Sequence, residues 1–234
     1  MRRAALRWVL AAALAAVAMP AEAQPGRAPE DGVLYLFRDL QIAQANGFPD
    51  YEIAGEGAAA TASGGRLYGP RARITLTLDP ATDYLRIDDR GDGDGATPFV
   101  TEVAVWFDAE GAPLLGLSER AGRGGVPFGG RVRFYSHASG RWNLVTDRVM
   151  PTLDEPLCHT EPQEVDETTA AFEGLGRAIT LLPRRGTDLA VWCVAPSPVA
   201  GTGQALVWDR AAGRFRPGAV LAGPPPWPDA PAPR

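Results

Sequence analysis

The sequence predicts a mainly β protein: an antiparallel meander sheet or sandwich built from hairpins, with one short helix near the N-terminus. A partial propeller-like arrangement is the alternative. Three observations carry this reading. Apolar and polar residues alternate over several runs, as in Arg73-Ile-Thr-Leu-Thr-Leu78, the period of a strand with one buried face. Short turns separate the runs, with Asp, Pro or Gly where turn geometry demands them. Apolar spacing of helical period is found at residues 32–46.

In that stretch Val33, Leu36, Phe37, Leu40 and Ala43 fall on one helical face. Asp31 is placed to cap its start, and Asn46-Gly47 with Pro49 to stop it. Residues 53–68 are small and Gly-rich and read as a flexible loop. They lack the Gly-Lys-Ser/Thr and helix of a phosphate-binding loop. Residues 73–78 and 84–88 form a hairpin across Asp79-Pro80, with Ile74, Leu76, Leu78, Leu85 and Ile87 inward. Two further hairpins follow, 101–108 with 113–118 and 131–136 with 141–146. Residues 119–130 hold many glycines and read as a mobile surface loop between them. Residues 151–169 are an acidic linker. Residues 178–183 and 188–194 make another hairpin, whose second strand is apolar on both faces and so central in its sheet. Residues 205–208 and 214–215 finish the sheet.

Three turns share one design. In each, an aromatic residue lies five positions before a glycine: Trp106 and Gly111, Tyr135 and Gly140, Trp208 and Gly213. Two continue as Gly140-Arg141-Trp142 and Gly213-Arg214-Phe215. The glycine spacings of 29 and 73 exclude a fixed-period array. Shared turn chemistry explains the echo, with a repeated supersecondary unit as the sharper alternative.

Composition bounds the function classes. Residues 1–23 read as a secretory signal peptide, with Arg2, Arg3 and Arg7 before an apolar run, and Ala21-Glu22-Ala23 as the cleavage site. The run is too short for a membrane span, so the expected location is the periplasm or the medium. Cleavage leaves 234 − 23 = 211 residues: one β-rich domain at 24–222, with sub-blocks at 70–151 and 176–222, and a Pro-rich disordered tail at 223–234. The leader takes three Arg and one Glu, so 20 basic residues against 27 acidic give a charge of −7. That balance argues against nucleic acid and anionic membranes as partners. An envelope protein or polymer fits better. All 23 basic residues are Arg, which with the Ala, Gly and Pro excess reflects codon usage in a GC-rich genome.

Cys158 and Cys193 are the only cysteines, and in an oxidising compartment they are expected to pair. Such a bridge stabilises by roughly 3–4 kcal/mol through chain entropy. A zinc site with His137 and His159 competes, but Cys158 and His159 are sequence neighbours and on a strand would face opposite ways.

Sites of chemistry are sparse. Asp88, Asp89, Asp92 and Asp94 put four carboxylates on a Gly-rich stretch that suits Ca²⁺. Arg90 occupies a ligand position, however, and Glu102 misses the closing one, so no cofactor is assigned. Ser118 follows Gly116 at nucleophile-elbow spacing, but Arg120 replaces the second glycine. Asp108, Glu110 and Glu102 are further carboxylates for a hydrolase. For binding, the candidates are Trp106, Tyr135, Trp142 and Trp208 as an aromatic face, and Arg184 and Arg185 at a hairpin tip. Core packing competes for the aromatics, and a solvated turn for the arginines.

The run from Glu102 to Ser118, with Phe134-Tyr135, Gly140-Arg141-Trp142, Val149-Met150-Pro151, Leu182-Pro183-Arg184-Arg185-Gly186-Thr187 and Leu206-Val207-Trp208-Asp209, resembles a group of uncharacterised exported bacterial β-rich proteins. The resemblance covers about half the chain beyond the leader. It implies export and a β-rich fold, and carries over no catalytic residue. The expected function is that of an exported binding or interaction protein, with a cell-envelope hydrolase using a carboxylate or serine site as the alternative.

Overall fold

Alternation makes the strands, and the turns decide which of them pair. The computed structural model describes residues 32–44, 51–64, 73–90, 99–123, 126–151, 178–194, 201–223 and 225. Among these the chain is mainly β and antiparallel, without a closed barrel. A small sheet pairs β1 (Tyr51–Ala54) with β2 (Thr61–Gly64). A six-stranded meander runs in chain order through β3 (Arg73–Asp79), β4 (Tyr84–Arg90), β5 (Phe99–Phe107), β6 (Pro113–Arg123), β7 (Val126–Ala138) and β8 (Arg141–Leu144). A four-stranded meander follows: β9 (Ala178–Leu181), β10 (Leu189–Cys193), β11 (Thr202–Asp209) and β12 (Arg214–Ala222). The helices are α1 (Val33–Ala43) and the single turn α2 (Thr146–Val149).

Side-chain parity sorts the large sheet into two faces. Odd-numbered Leu85, Ile87, Val103, Leu115 and Leu117 meet Val33, Leu36, Phe37 and Leu40 of α1. Even-numbered Tyr84, Ala104, Trp106, Leu114 and Phe134 meet Leu189, Val191, Leu206 and Phe215 of the second sheet. The result is three layers: helix, six-stranded sheet, four-stranded sheet. Polar contacts fix the outer layer. The Trp142 indole N–H donates to Asp39 Oδ2 at 2.7 Å. Arg38 donates to the carbonyls of Ile53 and Gly55, and Gln41 to that of Tyr51, so α1 also carries the small sheet.

Four expectations need correction. Residues 119–123 and 126–130 belong to β6 and β7, not to a surface loop. Glycine keeps both backbone hydrogen-bonding groups, so the ladder continues past Arg120–Gly130 to Arg123–Val126, with one bulge after Ala121. Residues 53–64 are not a loop but belong to the β1–β2 hairpin, with a 3₁₀ turn at Gly57–Ala59. The helix is shorter than 32–46, and a strand over 141–146 stops at Leu144. There Thr146 opens α2, its hydroxyl accepting the Phe134 N–H at 2.9 Å. β10 is central, between β9 and β11. Asp31, Asn46 and the linker at 152–169 lie outside the described residues.

Candidate functional site

Two groups of polar side chains at the meeting of the two sheets differ in access. The first is sealed between the sheets. Glu102 and Arg120 share the inner face of the large sheet and are 4% and 2% exposed. The Arg120 guanidinium meets the Glu102 carboxylate through two bonds, of 2.6 and 2.8 Å. The Tyr84 hydroxyl donates to the same carboxylate at 2.8 Å, and the Leu182 N–H at 3.1 Å. Burial pushes the Glu102 carboxyl up, but the Arg120 charge and these hydrogen bonds together outweigh burial and hold it below the usual carboxylate range. Burial, then the Glu102 charge, pushes the Tyr84 phenol well above its ordinary range.

This cluster covers a strand edge. β9 ends the four-stranded sheet, and its outward backbone groups need partners. The large sheet supplies them from side chains: Ser118 donates its hydroxyl to Thr180 O, and Glu102 accepts from Leu182 N two residues on. Beyond the strand, the Trp106 indole N–H donates to Thr187 O at 2.7 Å. Ser118 is therefore no nucleophile: it is fully buried and its hydroxyl is spent on a carbonyl. His137 lies with its ring 4.9 Å from that of Trp142, on the helix-bearing face.

The aromatics expected to make one binding face are divided. Tyr135 and Trp142 are buried in the α1 layer. Trp106 is 2% exposed between the sheets, where Phe134, Trp208 and Phe215 ring it at centroid distances of 5.7, 6.4 and 5.4 Å. Trp208 alone of the four is half-buried rather than buried. Arg184 and Arg185 are exposed on the β9–β10 turn, Arg184 reaching Asp79 at 3.4 Å. Of the acidic group, Asp88 and Asp89 belong to β4 and face opposite ways. Asp88 is paired with Arg86, and Asp89 is fully buried. Asp92 and Asp94 lie outside the described residues. Among the described residues no three His, Cys, Asp or Glu side chains gather as metal ligands. Cys193 is fully buried in β10 and is not a free thiol; Cys158 and His159 lie outside the described residues.

The second place is open. The β5–β6 turn and the β11–β12 turn, two of the three echoed turns, meet at one end of the sandwich. The Arg210 guanidinium donates to Asp108 O at 3.0 Å, and the Trp208 indole N–H to Phe107 O at 3.4 Å. A Cβ built on Gly213, whose φ of +60° suits glycine, would stand 4.0 Å from the Asp108 Cβ. Each turn is also braced internally: Asp108 Oδ1 accepts the N–H groups of Glu110 and Ala112, and Asp209 Oδ1 that of Ala212.

Between the turns and α2 opens a cleft of about 570 Å³, within the range of small-ligand sites. Trp208 lines it, with Phe215 packed against the indole at 4.9 Å. Ser136, Glu110, Arg148 and Arg214 line the same cleft. The side chains of these four make no hydrogen bond or ion pair among the described residues. The cleft thus offers an apolar ring, two guanidinium donors, a hydroxyl and a carboxylate. Of these, Trp208 is legible as a candidate in the sequence. Arg214 is signalled by the Gly-Arg-aromatic echo, whereas Ser136 and Arg148 carry no sequence signal. Comparison with protein-family models, curated proteins and solved structures finds no match.

Proposed function

We propose that the chain is an exported binding protein whose ligand sits in the cleft between the β5–β6 and β11–β12 turns. The observation that carries this is that the unspent polar groups of Ser136, Glu110, Arg148 and Arg214 line, together with the half-buried Trp208, one cleft of about 570 Å³. Between the two sheets, by contrast, the buried charges of Glu102 and Arg120 are paired with each other. Export rests on the residues of the leader, Arg2 to Ala23. No described helix is long and apolar enough to cross a membrane. The hydrolase alternative is the weaker reading, because Ser118 is spent on Thr180 O and the Asp108 carboxylate on its own turn.

The test is tryptophan emission and calorimetric titration of the chain from residue 24, against a panel of sugars, amino acids and short peptides. The expected result is a binder whose affinity falls at least about tenfold, or 1.4 kcal/mol, in Trp208→Ala. A binder indifferent to Trp208→Ala and Arg214→Gln would place the site elsewhere. Secretion is read separately, by the mass of the N-terminal fragment of protein recovered from the periplasm. An intact Met1 there would refute cleavage near Ala23.

A further inference from the structure

The geometry points to an acidic sugar, a saccharide unit bearing a carboxylate, as the ligand of this cleft. This assignment rests on the binding reading above. The four polar groups that line the cleft with Trp208 differ in what they ask of a ligand. Arg148 and Arg214 are exposed, donate only, and carry fixed charge. They call for an anionic acceptor, and the planar guanidinium matches a carboxylate through two parallel bonds. Glu110 accepts only and calls for a donor that is not itself anionic. Ser136 takes either role. A purely anionic ligand would meet Glu110 with repulsion, and a neutral one would leave both guanidinium groups without an anion.

The Trp208 ring completes the match. Its N–H is already used on Phe107 O, so what it offers the cleft is carbon. Phe215 and Trp106 hold it in place from the core side, at 4.9 and 6.4 Å. An apolar ring in a cleft that also holds donors and acceptors suits a pyranose ring, whose C–H groups form a face and whose hydroxyls ring the edge. A sugar acid uses all of it: carboxylate to the arginines, hydroxyls to Glu110 and Ser136, ring face to Trp208. The charged groups are exposed, so the arginine contribution falls as salt rises. The same unit occurs free or within a polymer, and both sources present the same chemistry.

The chain from residue 24 is titrated with glucuronate and galacturonate, and with glucose and galactose as neutral counterparts. A galacturonate tetramer distinguishes polymer from free sugar. The expected result is at least about tenfold tighter binding of the acidic member of each pair. That advantage should disappear in R148Q and R214Q and shrink at high salt, while the control R185Q, outside the residues that line the cleft, binds as the parent does. Tighter binding of the tetramer assigns a polymeric source; equal binding assigns the monomer. Equal affinity for acidic and neutral sugars, or binding of neither, overturns the acidic-sugar assignment. In those cases a ligand of another class that is lost on Trp208→Ala would leave the cleft itself as the binding site.

Discussion

Replacing Glu102 by alanine removes the acceptor of four hydrogen bonds, two from Arg120 and one each from Tyr84 and Leu182 N. What remains is a guanidinium 2% exposed, with no other ion-pair partner among the described residues. Stranding one member of a buried pair costs about 3–5 kcal/mol, a large share of the stability of a domain this size. For a domain of some 150–250 residues that corresponds to roughly 6–20 °C in melting temperature. Urea unfolding followed by tryptophan emission reads it directly. The decisive comparison is with E102A/R120A. Its second substitution removes the charge that the first left stranded, so the double variant should lose clearly less than the sum of the two single losses. The acid limb gives a second reading. The folded carboxyl titrates below the ordinary range, so its contribution is fully present above about pH 4.3 and is lost as pH falls through the folded value. The parent should therefore destabilise more steeply in acid than Glu102→Ala does. A loss under about 1 kcal/mol, or strict additivity in the cycle, would refute the account of how the sheets are joined.

Other outcomes follow from single contacts. In Gly116→Ala the new methyl would sit 2.6 Å from Trp106 Cζ3 and 2.8 Å from Phe134 Cε1. Overpacking of about 1–3 kcal/mol should lower the melting temperature and alter the near-ultraviolet aromatic signal; an unchanged melt would show that those rings yield freely. Asp39→Ala deprives the Trp142 indole of its acceptor. It should cost about 1–2 kcal/mol and speed amide exchange in α1 more than in β5, with Asp39→Asn restoring most of it; uniform exchange would mean that the Asp39–Trp142 bond does not hold α1 on the large sheet. We propose that Cys193 pairs with Cys158. Thiol labelling of denatured, unreduced protein should then find no reactive cysteine, and two labelled thiols would remove the bridge. If Asp88 and Asp89 contribute nothing to Ca²⁺ binding, millimolar Ca²⁺ leaves the melting temperature unchanged, and a rise would reinstate the acidic stretch as a metal site.

The strands were legible where side chains alternate. Ile74, Leu76, Leu85 and Ile87 each announce a covered face by parity, and the turns at Asp79 and Asp108 announce the pairing. Legibility failed where a strand carries the residues of a loop. Glu119 and Arg120 look like solvated loop residues beside glycines, yet both are buried. Their partners, Arg131 and Arg133 for one and Glu102 for the other, stand on neighbouring strands 12 or more positions away. Only pairing register brings them together. Trp106 shows the same limit from the other side. Its face was readable, since it shares parity with Glu102. What covers that face was not, because Thr187 and Phe215 arrive 81 and 109 residues later.

The cleft makes the point about sites. The sequence shows that the turns at Gly111 and Gly213 have one chemistry, each following a tryptophan by five residues. It does not show that they touch, because they close hairpins of different sheets. Contact follows from packing. Trp106 and Trp208 lie on the facing surfaces, and both join the ring cluster with Phe215. Two sheets aligned by that cluster bring the turns that follow each tryptophan to the same end. There Arg210 reaches Asp108 O and Trp208 reaches Phe107 O. The echo in the sequence is thus the trace of one local solution used on both sheets, and the half-buried Trp208 is where the core reaches the cleft. It follows that Trp208→Phe, which keeps an aromatic ring but removes the N–H that anchors it to Phe107 O, should loosen the junction of the turns more than the core. Exchange of the Asp108 and Gly111 amides should accelerate in that variant, with little change in global stability. If stability fell by as much as on Trp208→Ala while those amides stayed protected, Trp208 would belong to the core alone.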